Sequence, residues 1–220
     1  MSAASPAAGP RAAGRKPSAR DRLLAAADEL FYAEGVHTVG IDRVIEHAGV
    51  AKASLYSCFG SKDGLIRAYL EGRHRRRQER ILTQLERFGT PRERLLGVFD
   101  VLAEQVAAPT FRGCAFYNAS AESTPGGVVQ EVSDANRAWT RTLFTDLARE
   151  AGAPDPAALA DRLVILYDGT SVGARMDRTP AAAVTARAVA AALLDAALAD
   201  HPDAPVPYAP TRGDGDATMR

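Results

Sequence analysis

Residues 41–59 read IDRVIEHAGVAKASLYSCF, and their pattern decides the fold. Ile41, Val44, Ile45 and Ala48 recur at three- and four-residue steps, which places them on one inward face of a short helix over residues 41–48. Gly49 follows and supplies a backbone conformation that a β-carbon resists. Residues 51–59 predict a second short helix, with Leu55 and Phe59 four apart on one side. Ala48 is small enough for the two helices to approach closely, and Val50 and Leu55 pin the second to the first. The outward positions Lys52, Ala53, Ser54, Tyr56 and Ser57 are short or polar, as a groove-facing surface requires. Helix, glycine turn, helix is the arrangement in which the second helix enters the major groove of DNA. A helical hairpin with no DNA role has the same pattern, so both readings stand on this segment alone.

Working outward, the chain reads as nearly all helix. Ala and Leu dominate, and Gly and Pro fall between periodic segments. Ser18 caps a helix over residues 18–33 that Gly35 stops, with Leu23, Leu24, Ala27, Leu30 and Phe31 as its apolar stripe. Ser61 caps a longer helix that continues to about residue 88. Thr90 and Pro91 open a helix over residues 91–107. Residues 111–123 read as a short polar-aromatic stretch, and Pro125-Gly126-Gly127 breaks the chain again. Further helices are expected over residues 128–151, 157–176 and 181–199. The last exposes Val184, Ala188, Ala191, Ala192 and Leu198 along one flank.

The composition excludes several classes. The 220 residues are 46% hydrophobic and 25% charged, which is ordinary globular usage. No apolar run approaches the roughly 20 residues of a membrane helix, so no spanning segment and no membrane partner are expected. Two cysteines, Cys58 and Cys114, are too few for a disulfide framework or a four-cysteine zinc site. No nucleophile elbow, phosphate-binding glycine loop or HExxH pattern is present, and His37, His47, His74 and His201 are scattered. No enzyme activity and no cofactor are therefore expected. Pro6, Pro10 and Pro17 interrupt the amphipathic helix that a transit peptide needs. Residues 1–17 are expected to be a disordered basic arm, and residues 201–220 a flexible tail, of a cytoplasmic protein.

The formal net charge of zero hides a split. Residues 1–90 carry 15 Lys and Arg against 10 Asp and Glu, whereas residues 91–220 carry 12 against 17. The basic half is the half that holds the helix-turn-helix pattern, and phosphate binding needs such localised charge. Within it, Arg73, Arg75, Arg76, Arg77 and Arg80 form a run. Arg75 lies about 20 Å up a helix from Lys62, beyond a Debye length of ~8–10 Å, so the run reads as a solvated face or as a partner for the acidic half. Arg11, Arg15 and Lys16 are better placed to follow a minor groove as a flexible arm.

Residues 23–70, LLAAADELFYAEGVHTVGIDRVIEHAGVAKASLYSCFGSKDGLIRAYL, resemble the N-terminal domain of TetR/AcrR one-component transcriptional regulators. GCAFYNASAES at residues 113–123 is similar to a subset of that family. The resemblance implies an all-α protein with a three-helix DNA-binding domain at residues 18–64. A larger ligand-binding and dimerisation domain follows at residues 65–200, with residues 65–88 as a connecting helix. It implies base-edge contacts from Lys52, Ala53, Ser54 and Ser57, with Tyr56 on a phosphate or a thymine methyl and Lys62 on a phosphate. Gly40 and Ala51 stand where the family usually has Ser or Thr caps, Gly64 where an acid is frequent, and Cys58 where His is common. These departures concern the phosphate contacts rather than the fold.

The same resemblance implies a repressor that a small-molecule effector releases from a palindromic operator, working as a homodimer through residues 157–199. Two recognition helices must meet successive major grooves about 34–36 Å apart, or a multiple of that. Phe99, Leu102, Phe111, Phe116, Tyr117, Asn118, Trp139, Phe144 and Tyr167 are candidate effector-pocket residues, each also readable as core. Tyr117 and Asn118 are the more telling, because polar tips among apolar neighbours orient ligands. A redox-sensing regulator using Cys58 or Cys114 is the alternative.

Overall fold

The structure, a computed structural model, describes residues 16–199. Arg11 and Arg15 of the expected arm and the whole of the expected tail lie outside the described residues. Among those residues there are nine helices and no strand: α1 (Ala19–Glu34), α2 (Ile41–Ala48), α3 (Lys52–Phe59), α4 (Lys62–Leu85), α5 (Pro91–Val106), α6 (Ala115–Glu122), α7 (Val128–Glu150), α8 (Pro156–Asp177) and α9 (Ala181–Ala199).

Local chemistry sets the helix ends. Ser18 caps α1 reciprocally: its Oγ accepts from the Asp21 N–H at 3.1 Å, and the Asp21 carboxylate accepts from the Ser18 N–H at 3.2 Å. Thr90 and Glu93 repeat the device at α5, with Pro91 at the first helical position. Gly49 ends α2 in the left-handed region at φ 60°, ψ 44°, which turns the chain sharply into α3. One element departs from expectation. The polar-aromatic stretch holds a helix, α6, although Cys114 gives its N-terminus no side-chain cap. Burial of Ala115, Phe116 and Ala119 supplies what local signals lack.

Two cores organise the chain. The first collects Leu23, Ala27, Leu30 and Phe31 of α1, Val44 of α2, Leu55 of α3, and Leu65, Ile66, Tyr69 and Leu70 of α4. Phe116 of α6 and Val129 and Val132 of α7 join it from the second half of the chain. The second core collects Ile81 and Leu85 from the far end of α4 with α5, α7, α8 and α9. Its centre is an aromatic trio: Phe99, Phe144 and Tyr167 have ring centroids 5.7 to 6.1 Å apart.

Helix α9 packs as part of the second core. By length and composition it is apolar enough to cross a membrane, although no single unbroken apolar run announced it. Its two charges are both paired to α5, Arg187 with Asp100 at 2.7 Å and Asp195 with Arg92 at 2.8 Å. Ala183, Ala186, Ala190 and Leu194 are buried against the bundle. Val184 is exposed on the other flank, and Ile165, Val172 and Met176 are exposed on α8.

Leu55 is wholly buried and fastens α3 to the first core. Leu55→Ala is expected to cost about 2–5 kcal/mol in urea unfolding.

Candidate nucleic-acid interface and interior cavity

Helix α3 presents Lys52, Ala53, Tyr56 and Ser57 to solvent, while Ser54 is half-buried. Its sequence, KASLYSCF, contains no carboxylate, so nothing on it repels a phosphate. Arg22 of α1 donates to the Gly49 carbonyl at 2.9 Å and anchors the turn before it. In this structure Lys52 pairs with Asp42 of α2 at 2.9 Å, and that contact holds its ammonium above the usual lysine range. Both partners are largely exposed, so exchanging the carboxylate for another anion costs little.

The start of α4 lies alongside. Ser61 accepts from the Gly64 N–H at 3.0 Å, which caps the helix. Lys62 is half-buried and donates to the His37 carbonyl at 3.3 Å, and burial lowers its pKa. Gly40 and Ala51 occupy N-cap positions and make no side-chain cap, as the sequence implies. Gly64 has a steric reason: a β-carbon there would lie 2.0 Å from the Phe59 carbonyl oxygen. The end of α3 therefore packs directly on the backbone of α4.

Contacts made by Asp28, Tyr32 and His37 tie this unit to the rest of the chain. Arg73 of α4 grips Asp28 of α1 with two N–H···O bonds of 3.0 Å, and Arg76 reaches the same carboxylate. The Arg73 guanidinium also lies 3.7 Å from the Tyr32 ring centroid. The Tyr32 hydroxyl donates to the Gly113 carbonyl and accepts from the Arg112 N–H, both at 2.9 Å. At the end of α6, Glu122 accepts from the His37 N–H at 2.9 Å, and Ser123 Oγ lies 3.0 Å from His37 Nε2.

A cavity of about 590 Å³ lies between α4, α6, α7 and α8. Of the sequence candidates, Leu102, Phe116, Tyr117 and Tyr167 line it. Phe111 lines a neighbouring, more open cleft of about 990 Å³ beside α1. Phe99 and Phe144 are wholly buried in the aromatic trio. Trp139 is partly buried against the second core, and its ring lies edge-on to His74 at 5.9 Å. Asn118 donates to the Arg112 carbonyl at 2.9 Å and holds the loop before α6.

Sequence reasoning missed the polar wall of this cavity. Arg73, Arg76, Arg77 and Arg80 all line it. Their spacing of three, one and three residues places them on one helical face, and that was the available signal. Instead of carboxylates of the acidic half, Arg73 and Arg76 take Asp28, and Arg80 takes the Gln105 amide oxygen at 2.6 Å. Arg77 donates to Asn136 Oδ1 at 2.9 Å and to Thr140 Oγ1 at 3.0 Å. His74 shares the Asn136 oxygen, and burial holds its pKa below the usual imidazole value. Cys58 and Cys114 are both half-buried free thiols.

Comparison with known proteins places these features. The profile of bacterial regulatory proteins of the tetR family matches residues 23–69. A TetR-family transcriptional regulator from Streptomyces coelicolor, whose crystal structure is known, superposes with a TM-score of 0.78 at 33% identity, covering 81% of this chain and 95% of that one. An uncharacterized HTH-type transcriptional regulator of Mycobacterium tuberculosis is 34% identical over 84 residues, 38% of this chain and 42% of its own. The HTH-type transcriptional activator FasR of Mycolicibacterium smegmatis is 43% identical over 68 residues, 30% of this chain and 31% of its own. The chain thus spans less than half the length of these curated relatives.

Gly40 has φ −75° and open space where a β-carbon would stand. Gly40→Thr is expected to raise stability by about 0.5 kcal/mol through the added cap and a stiffer unfolded chain. Anisotropy titrations should also show tighter binding to every duplex alike. In a salt series, Lys62→Ala should weaken all duplexes about equally and flatten the log–log slope by roughly 0.9.

Proposed function

Because the chain belongs to the TetR family of bacterial transcriptional regulators, we propose that it is a homodimeric repressor that a small molecule releases from a palindromic operator. One observation carries the reading. The carboxylate-free face of α3 stands exposed on the first core, beside the positive N-terminal end of α4. Lys52, Ala53, Ser54 and Ser57 read base edges in this arrangement. Tyr56, Lys62 and the backbone at Gly40 hold phosphates. Lys52 exchanges Asp42 for the DNA as the complex forms.

The second copy covers the apolar flank of α8 and α9. Ile165, Val172 and Met176 on α8 and Val184 and Leu198 on α9 are large, apolar and exposed in the single chain. Their spacing puts each set on one helical face, and together they make an apolar patch of the kind that marks an interface.

Helix α6 supports effector control. Phe116 and Tyr117 line the cavity at its start, and Glu122 at its end holds the loop that precedes α2. A ligand that shifts α6 therefore shifts the α3 unit. Allosteric coupling of about 1–3 kcal/mol exceeds what one exposed ion pair supplies, about 0–1 kcal/mol. The Glu122–His37, Tyr32–Gly113 and Asp28–Arg73 contacts must therefore change together.

Sedimentation of the Ile165→Glu, Val184→Glu double variant should give a monomer, where the parent chain gives a dimer. Its operator affinity should fall about a hundredfold or more, because two reading heads no longer bind as one. A parent chain that is monomeric both free and on DNA would refute the assembly.

A further inference from the structure

The cavity wall carries more positive charge than its own acids neutralise. Five guanidiniums line it against three carboxylates, those of Asp28, Asp134 and Asp168. Asp28 is taken by Arg73 and Arg76, and Asp168 by Arg137. Arg77 and Arg80 are left, among the described residues, with neutral oxygens as their hydrogen-bond partners.

Arg77 is the better defined of the two. It is half-buried, and its partners Asn136 and Thr140 are both buried. Its guanidinium carbon lies 5.1 Å from the Tyr167 ring centroid and 5.4 Å from that of Trp139. The two hydrogen bonds leave from one terminal nitrogen, Nη1, and a guanidinium has five N–H donors. The remaining edge is a fork suited to a carboxylate. The lining also includes the apolar side chains of Leu102, Phe116, Val164 and Val172. Tyr167 and Trp139 already hold a cation, so an organic cation would have to displace Arg77 while meeting the other guanidiniums.

We propose that the effector is an amphipathic organic acid whose carboxylate pairs with Arg77 and whose apolar body lies along Leu102, Phe116 and Val164. This inference rests on the cavity being the effector site. The volume of about 590 Å³ suits a ligand of drug-like size rather than an inorganic anion alone. A carboxylate supplies the charge the wall lacks in a partly desolvated place, where a charge-assisted bond is strongest.

Trp139 is the sole tryptophan, so its fluorescence reports the Arg77 neighbourhood directly. The full chain is titrated with hexanoate, octanoate, decanoate, phenylpropionate and indoleacetate. Each acid is run beside its primary amide and its trimethylammonium counterpart, with thermal shift as the parallel readout. Acids are expected to bind about tenfold or more tightly than their amides. Arg77→Gln should abolish that preference, and Arg77→Lys should keep part of it. Amides or trimethylammonium compounds that bind as tightly as the acids would overturn the carboxylate assignment and leave the cavity as an effector site. An acid preference that survives in Arg77→Gln would overturn it equally. If no compound of any charge shifts either signal, the effector reading of the cavity falls as well. Should Arg77→Gln fail to fold, the acid-to-amide ratio of the parent chain and of Arg77→Lys decides the matter.

Discussion

Helix α4 has to satisfy two cores at once, and the rest of the molecule is arranged around that demand. Its first turns deliver Leu65, Ile66, Tyr69 and Leu70 to the α1–α3 core, and its last turns deliver Ile81 and Leu85 to the α5–α9 core. Twenty-four residues make a rod of about 36 Å, long enough to span both. Each large apolar side chain buried this way contributes roughly 1.5–3 kcal/mol, against about 0–1 kcal/mol for an exposed ion pair. Packing therefore holds the two units on one axis. The ion pairs around Asp28 orient them rather than bind them.

Between these two sets of apolar residues the middle of α4 is rich in arginine. Gly72 is buried there, and Arg73, Arg76, Arg77 and Arg80 turn toward the cavity. Asp28 reaches in from α1 and neutralises part of this charge. The carboxylate that stabilises the junction comes from α1, and it lines the cavity together with the α4 guanidiniums it holds.

Two surfaces stand exposed among the described residues, the α3 face and the α8 and α9 flank, and they differ in kind. The α3 face is polar, short and free of acids, which suits a phosphate-rostered groove. The α8 and α9 flank is apolar, which suits a second copy. Helix α6 lies between the cavity and the α1–α2 loop, with aromatic side chains at one end and Glu122 at the other.

The helix ends, the Gly49 turn and the exposed face of α3 were legible in residue order, because caps, glycine conformations and 3.6-residue periodicity are local physics. Helix α6 was not legible as a helix, since its support comes from burial in the first core, with α1 and α4 residues far away in sequence, rather than from a cap of its own. The division of the aromatic residues was equally hidden. Phe99 and Phe144 read like Phe116 in sequence and all three are buried in a core, yet of the three Phe116 alone also lines the cavity. The sequence by itself determined the all-helical class, the helix-turn-helix pattern and the exposed face of its second helix. Only tertiary packing decided that the arginine face of α4 points inward toward Asp28, Asn136 and Thr140, because burial and charge pairing depend on which helices meet there.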